Sequence, residues 1–512
     1  MKMKMKMKMN KIKNIFWVAL ALVVVLLTPS CNTEKGVIEE QTQPADISLA
    51  LSEIAISIPA EGGVFTVDVT TNAESWEAIS AVSWAEVSCK DDTITIAANE
   101  NTSNASRVGD IIVVATTGST LKERSISLEQ FAAGGTTNDG NLTFECPVFE
   151  EYVLSYYDAN GDGVLSAEEA AIVTDLVLTL DESSDEEQEA ITSLKGIKNF
   201  VNLVNLDCDG NLLTELDLSG LEKLEYVDCS YNNIKTFNVS GCKSLKWIYA
   251  YMNNISKFYF EGCNNLLIVQ MWKNNLTSID MSGMAELVYF DLRMNMLREA
   301  KFNNCPNLQI AVVGSNNLIS LDLTGLPSLS SLGCYDNSIA SLDLSGLPKL
   351  DFLECYTNNI ASLDLSANKA LTYLACNNNL IAELNISNCT ALRKIDCSNN
   401  RLTGTFSTSK FKSLTYLSCG GNNFTDINVV ASTAITDLYC ANTAITALNV
   451  STLKSLETLV ANDCRLTTMD CSNNLKLSTL YLQGNPLTSL VLANGQSVAD
   501  IKLDNFDVIS YK

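Results

Sequence analysis

Hydrophobic and polar positions along this chain fall into three regimes. Residues 15–27 are apolar without a break. A run of that length is too short to span a bilayer as an anchor and suits the core of an export signal. From residue 47 to 131 apolar and polar residues alternate, as in Val64-Phe65-Thr66-Val67-Asp68-Val69, Thr93-Ile94-Thr95-Ile96 and Ser125-Ile126-Ser127-Leu128. Period two predicts strands with one buried face, and Gly62-Gly63, Asp91-Asp92 and Thr117-Gly118-Ser119 supply turns between them. From about residue 201 a period of 21 takes over. Asparagine recurs at 211, 232, 253, 274, 295, 316, 337, 358, 379 and 400, then, after one insertion, at 422; Thr443 and Cys464 hold the place before Asn485. A fixed period of this length predicts a stack of identical coils, fourteen by this count, with residues 498–503 opening a fifteenth.

One coil shows the unit: Leu371, Leu374, Cys376 and Ile381 point inward, and the Asn379 amide serves main-chain groups at the turn. A second pair, Leu384 and Ile386, predicts a short strand on the opposite side of the coil. The pattern L-x-x-L-x-[LC]-x-x-N-x-L resembles the leucine-rich repeats of bacterial, internalin-like surface proteins. The expected fold is therefore mainly β: an immunoglobulin-like β-sandwich, a small helical calcium-loop cap, then a leucine-rich-repeat solenoid. The expected division is 1–30 signal peptide, 31–45 tether, 46–133 sandwich, 134–143 linker, 144–200 calcium loop and repeat cap, and 201–512 repeats.

The sandwich segment resembles the BACON domain family through Trp76, Trp84, Asn101-Thr102, Arg107 to Ile111 and Ile126 to Gln130. That resemblance implies glycan binding at Trp76 and Trp84; packing of both rings into the sandwich is the competing reading. Cys31 directly follows the apolar run and Leu26-Leu27-Thr28-Pro29-Ser30. This resembles a bacterial lipobox, although Thr28 stands where that pattern prefers leucine. The resemblance implies lipidation of Cys31 and an outer-membrane lipoprotein displayed at the cell surface, with a periplasm-facing orientation left open.

Residues 158–169 fit the EF-hand template D-x-[DN]-x-[DN]-G-x5-E without a gap. Asp158, Asn160 and Asp162 place three oxygens on one side of a turn, Gly163 permits the bend, and Val164 offers its carbonyl. Ser166 acts through water and Glu169 closes the shell from the start of a helix. One structural Ca2+ is expected, in a loop resembling those of dockerins.

Composition narrows the function. The chain of 512 residues has no histidine, which removes histidine bases, His-Asp triads and histidine-based zinc sites. Neither a Gly-rich phosphate loop nor a nucleophile elbow occurs, so no enzyme is expected. The formal charge is −25, and about −31 once the six lysines before the apolar run are removed. Such a surface repels phosphate backbones and argues against nucleic acid. Many of the 17 cysteines keep the repeat's period, as Cys334, Cys355, Cys376 and Cys397 do. In-register strands hold equivalent residues about 4.8 Å apart, too far for a disulfide, so these are read as small buried hydrophobes. An occasional bridge, such as Cys242–Cys263, is left open.

Positions six, four, two and one before each asparagine flank the inward leucines and so stand on the concave outer face. Tyr226, Trp247, Tyr249, Tyr251, Trp272, Tyr289, Tyr335, Phe352, Tyr356 and Tyr373 crowd these slots, interspersed with Asp207, Asp228, Asp291, Glu354 and Asp396, although aromatics are only 7% of the chain. Exposed strands favour such rings in any case, but a patch this dense predicts binding. The repeat architecture favours a protein ligand, the BACON resemblance a glycan, and a structural spacer is the third reading.

Overall fold

The computed structural model describes residues 47–52, 55–58, 62–103, 107–117, 120–130, 141–179 and 189–512. The signal run, the tether and Cys31 lie outside the described residues. The chain divides into two compact units, Met1–Leu142 and Thr143–Lys512.

In the first unit the alternating text becomes strand. The elements are β1 (Leu49–Leu51), β2 (Ala55–Ile58), β3 (Gly63–Thr71), β4 (Ser75–Ser80), β5 (Ala85–Lys90), β6 (Thr93–Ala98), β7 (Arg107–Thr117) and β8 (Thr120–Gln130). They form two four-stranded sheets, ordered β1-β3-β6-β5 and β2-β8-β7-β4. All pairings are antiparallel except the parallel β2–β8 pair. Period-two burial sends Val67, Val69, Ile94 and Ile96 from one sheet, and Ile111, Val113, Ile126 and Leu128 from the other, into one core. The turn into β3 needs glycine. Gly62 has φ +81°, and a Cβ there would fall 2.2 Å from the Ala98 carbonyl oxygen.

The second unit opens with helix α1 (Pro147–Tyr157) and, after a loop, the short helix α2 (Ala167–Ala171). Proline occupies the first turn of α1, where its missing N–H costs nothing. Ser166 and Glu169 form a reciprocal capping box at α2. Phe149 of α1 lies against Phe144 and Phe200, with ring centroids 5.1 and 6.3 Å away, seating the helix on the first coils.

A single 16-stranded parallel sheet then runs from Asp175–Val177 to Asp500–Lys502. It begins one strand before the first periodic asparagine, and residues 498–503 supply its last. The strands advance by a full coil in register, Tyr226 beside Trp247 and Trp247 beside Ile268. Each strand is three residues long, and in all but the last the middle residue is buried, as Ile248 is between Trp247 and Tyr249. The second Leu-x-Leu pair forms short two- and three-stranded parallel sheets on the far side, for example through Glu215–Asp217, Thr236–Asn238 and Lys257–Tyr259.

The asparagine ladder welds the coils. Asn253 is buried; its Oδ1 accepts from the Ile234 N–H at 3.0 Å, and its Nδ2 donates to the Cys229 carbonyl at 2.9 Å. Asn232, Asn274, Asn358 and Asn379 repeat this pair of bonds one coil apart. In nearly every coil the residue before the asparagine is left-handed, as at Tyr231 (φ 53°), Met294 (φ 57°) and Thr357 (φ 52°). The cysteines among the described residues are all free, Cys242 and Cys263 included. These two thiols donate instead to the carbonyls of Leu218 and Val239 in the preceding coil. Burial pushes the inward thiols of Cys355, Cys376 and Cys397 far above the ordinary range, which leaves them neutral.

Candidate functional site

The aromatic residues of the long sheet are set side by side by its register. Equivalent residues on neighbouring strands stand about 4.8 Å apart, close to the thickness of a stacked ring pair. Tyr251 and Trp272 stack with centroids 4.7 Å apart and planes at 5°. Tyr335 and Tyr356 stack at 4.8 Å and 7°, and Phe352 and Tyr373 at 4.2 Å and 12°. Tyr226–Tyr249 and Tyr416–Tyr439 are tilted pairs at 5.6 and 5.4 Å. Because the stacking direction follows the row of strands, the rings stand on edge and their faces are turned on one another.

One column extends further than the sequence indicated. The free face of Trp272 is covered by Arg293, whose guanidinium carbon lies 5.6 Å from the ring centroid. Arg293 is held by Asp291, its Nε 3.1 Å from a carboxylate oxygen whose side chain is almost wholly buried. In the next coil the slot is Gly314, where a Cβ would fall 2.4 Å from the Tyr335 ring. Tyr231 meets the other end edge-on, 5.5 Å from Tyr251. Two aromatic pairs are thus joined through one arginine and one glycine. Sequence reasoning passed over both residues because it counted only aromatic and acidic types.

Burial divides the expected ligand residues. Trp247, Tyr251, Trp272, Tyr289, Tyr335, Phe352, Tyr356 and Tyr373 are half-buried and reach solvent. Tyr226 and Tyr249 occupy outward slots but are 3% and 9% exposed, covered by neighbouring side chains. The Tyr226 hydroxyl is buried with no hydrogen-bond partner. The acids beside them carry the cost of this crowding. Burial, then the charges of Asp228 and Asp209, pushes the Asp207 carboxyl up to about 8. Burial also raises Asp291, and raises Glu354 against the opposing bond from Tyr373.

On the same face lies a hollow of about 310 Å³, lined by Glu354, Tyr356, Tyr373, Ala375, Lys394, Asp396 and Tyr416 among others. Ala375 sits between the two carboxylates along one column of the sheet, Glu354 beside Ala375 and Ala375 beside Asp396. Its methyl group leaves the space that a larger side chain would fill. Lys394 and Ala375 carried no signal in the sequence reading.

The loop of residues 158–169 turns its oxygens inward. Asp158 accepts from the N–H groups of Gly161 and Gly163 at 2.7 and 2.9 Å. Asn160 accepts from Asp162 N–H, and Asp162 from Val164 N–H. Glu169 reaches back across the loop to the N–H of Ala159 at 2.7 Å, and its second oxygen takes Ser166 N–H and hydroxyl. Those Ser166 bonds hold its carboxyl below the usual range. Gly161 and Gly163 have φ of +75° and +84° with open space around them. Among the described residues no three Cys, Asp or Glu side chains are gathered as a metal cluster. The all-oxygen set nevertheless fits a hard cation such as Ca2+, with Asp158, Asn160, Asp162, Val164, Ser166 and Glu169 as the groups that would hold it.

In the first unit Trp76 and Trp84 are half-buried and pack against the core. Arg107 lies over the Trp84 ring at 4.7 Å and is fixed by Gln130 Oε1 and the Asn99 carbonyl. Cys31, expected from the sequence to be lipidated, lies outside the described residues.

Comparison with known proteins supports the repeat reading. Residues 390–432 match the family model for leucine-rich repeats in two copies. Among solved structures, the functional domain of InlJ from Listeria monocytogenes, which includes a cysteine ladder, is 27% identical at a TM-score of 0.53. It covers 67% of this chain and 72% of its own. The leucine-rich effector YopM from Yersinia pestis shares the fold at 22% identity and a TM-score of 0.50, covering 59% of this chain and 83% of its own. No curated relative matches the chain. The second unit carries a leucine-rich-repeat solenoid, a fold that is usually non-catalytic and generally binds protein ligands.

Proposed function

We propose that this chain is a non-catalytic cell-surface binding protein that recognises a protein ligand through the outer face of its long sheet. The observation that carries this reading is the stacked aromatic column Tyr251–Trp272–Arg293 with the pair Tyr335–Tyr356 beyond it. Sugars bind aromatic residues by lying flat on an open ring face. Here the faces are spent on one another and on Arg293, and edges point outward. Edge-on rings mixed with half-buried carboxylates suit the irregular side chains of a protein, for which aromatic and arginine residues are the customary anchors.

The remaining parts serve display. Cys31 is the lipidated residue that ties the chain to the outer membrane, by its place after the apolar run. The first unit, read as a BACON-like, immunoglobulin-like sandwich, comes between Cys31 and the repeats in chain order; the cover of Arg107 over Trp84 favours a bracing role for that ring. One Ca2+ in the loop of residues 158–169 steadies the start of the array. Glycan arrays run beside capture from intact-cell surface proteins test the central choice. A saturable protein complex with a silent glycan array is expected; specific glycan binding without one would reverse the assignment.

A further inference from the structure

The long sheet holds an arginine of its own in a particular setting: Arg293 lies between the Asp291 carboxylate and the face of Trp272. Three coils on, the same slots recur with the arginine missing. Glu354 takes the place of Asp291 and Tyr356 stands in the column of Arg293, with the hollow over Ala375 beside them. Resting on the reading of this face as the recognition surface, we propose that the hollow over Ala375 is a receptor for one arginine side chain of the protein partner, held between Glu354 and Asp396.

Five features argue for that occupant. The lining carries two carboxylates against one ammonium, Lys394, so it favours a cation. The carboxylates belong to strands on either side of Ala375, roughly 10 Å apart along the sheet. A guanidinium presents donors on two sides and can serve both, whereas a lysine ammonium is a point charge. Half-buried Tyr373 and Tyr416 wall the hollow and give it apolar sides against which an arginine stem can pack. Asp396 is also fixed in advance: its Oδ1 accepts from the Ser398 N–H and hydroxyl at 3.0 and 2.6 Å, which removes a side-chain freedom that binding would otherwise have to freeze. Burial makes the Glu354 charge unfavourable as it stands, and an incoming cation relieves that cost.

The full chain is titrated with N-acetylarginine amide, with N-acetylcitrulline amide and N-acetyllysine amide as neutral and point-charge comparisons, reading saturation transfer to the probe by NMR. Citrulline keeps the shape without the charge. The arginine probe is expected to bind saturably, with citrulline at least tenfold weaker and lysine several-fold weaker. Glu354→Gln with Asp396→Asn should weaken the arginine probe at least tenfold. Ala375→Leu, which fills the hollow and leaves both charges, should do the same. All three positions face outward, and melting curves verify that each variant folds. Equal binding of citrulline, undiminished binding by both variants, or no saturable binding of arginine amide would overturn the proposal. Those results would leave the recognition face itself standing, because that reading is tested by partner binding at Trp247 and Trp272, several coils away.

Discussion

At the scale of single residues, the coils depend on two groups under strain. The residue before each ladder asparagine adopts a left-handed backbone that costs an L-residue about 1–2 kcal/mol, and the asparagine bonds on either side hold it there. Gly210, Asn378, Asn399 and Gly421 mark this position in some coils, but Tyr231, Met252, Lys273, Ser315 and Thr357 share no chemistry that would. Thr357 is β-branched, exposed and at φ 52°. Replacing it with asparagine, which tolerates this region and already fills the equivalent slots 378 and 399, should stabilise the array by about 1 kcal/mol. A thermal melt that shows no gain would mean that the strain is relieved in some other way.

The second strained group is Asp207, whose carboxyl is raised from an ordinary 3.8 to about 8 by burial and by Asp228 and Asp209. Between those values the folded chain keeps a proton that the unfolded chain has released. Stability from this site is therefore full below about pH 4 and declines as pH rises toward 8. Asp470 works in a separate window: bonds from Lys512 and Ser472 hold it down to about 2, so its contribution is lost as pH falls from 3.8 to about 2. Asp207→Asn should flatten the decline between pH 4 and 8 and melt above the parent at pH 8. An unchanged slope would show that the burial cost lies elsewhere.

At the scale of elements, the start of the array is the informative place. An edge strand exposes carbonyls that invite another chain, and here α1 covers them. Tyr152 and Tyr157 hydroxyls donate to the carbonyls of Val177 and Asp175 at 3.0 and 2.9 Å. Tyr152→Phe with Tyr157→Phe should cost about 1 kcal/mol per bond and speed amide exchange at Leu178, which donates to Asp207 in the next strand. The proposed calcium ion acts on the same end through Glu169 and α2. Binding only the folded state would add about 2.7 kcal/mol at a hundredfold excess over Kd. The parent should lose that gain on chelation, and Asp158→Ala with Glu169→Ala should not respond. A melting temperature indifferent to chelator would remove calcium from the description.

Element-scale features were also the most legible ones. A period of 21 placed fourteen of the sixteen strands of the long sheet, marked the fifteenth, and assigned the inward positions Leu245, Ile248, Leu266, Val269 and Met271, all buried. Alternation located β3, β6, β7 and β8. The strand Asp175–Val177 escaped because the interval to the next, 30 residues to Asn205–Asp207, breaks the period. β5 escaped although Ala85-Glu86-Val87-Ser88-Cys89-Lys90 alternates, and of its small apolar residues only Ala85 ends buried. At the site, slot occupancy showed which rings face outward, but not how neighbours would cover them. The burial of Tyr226 and Tyr249, the arginine bridge at Arg293 and the hollow over Ala375 arise from contacts between coils, and no single coil spells them.

For the whole molecule, the proposed function divides the coil: the outward aromatic face would bind while the inward leucines fold. Trp247→Ala with Trp272→Ala separates the two, since both rings are half-buried on the outward face and stand outside the core. The deciding measurement is the affinity of this double variant for the captured surface protein, beside a control, Lys257→Ala, on the opposite short sheets. Loss of an interface anchor commonly costs about 2 kcal/mol or more, roughly a thirtyfold weakening. The double variant should weaken by at least that factor while it melts cooperatively near the parent, and Lys257→Ala should bind as the parent does. Parental affinity in a folded double variant would contradict the assignment of function to this face, and cooperative unfolding lost with the two tryptophans would contradict the division between outward and inward residues.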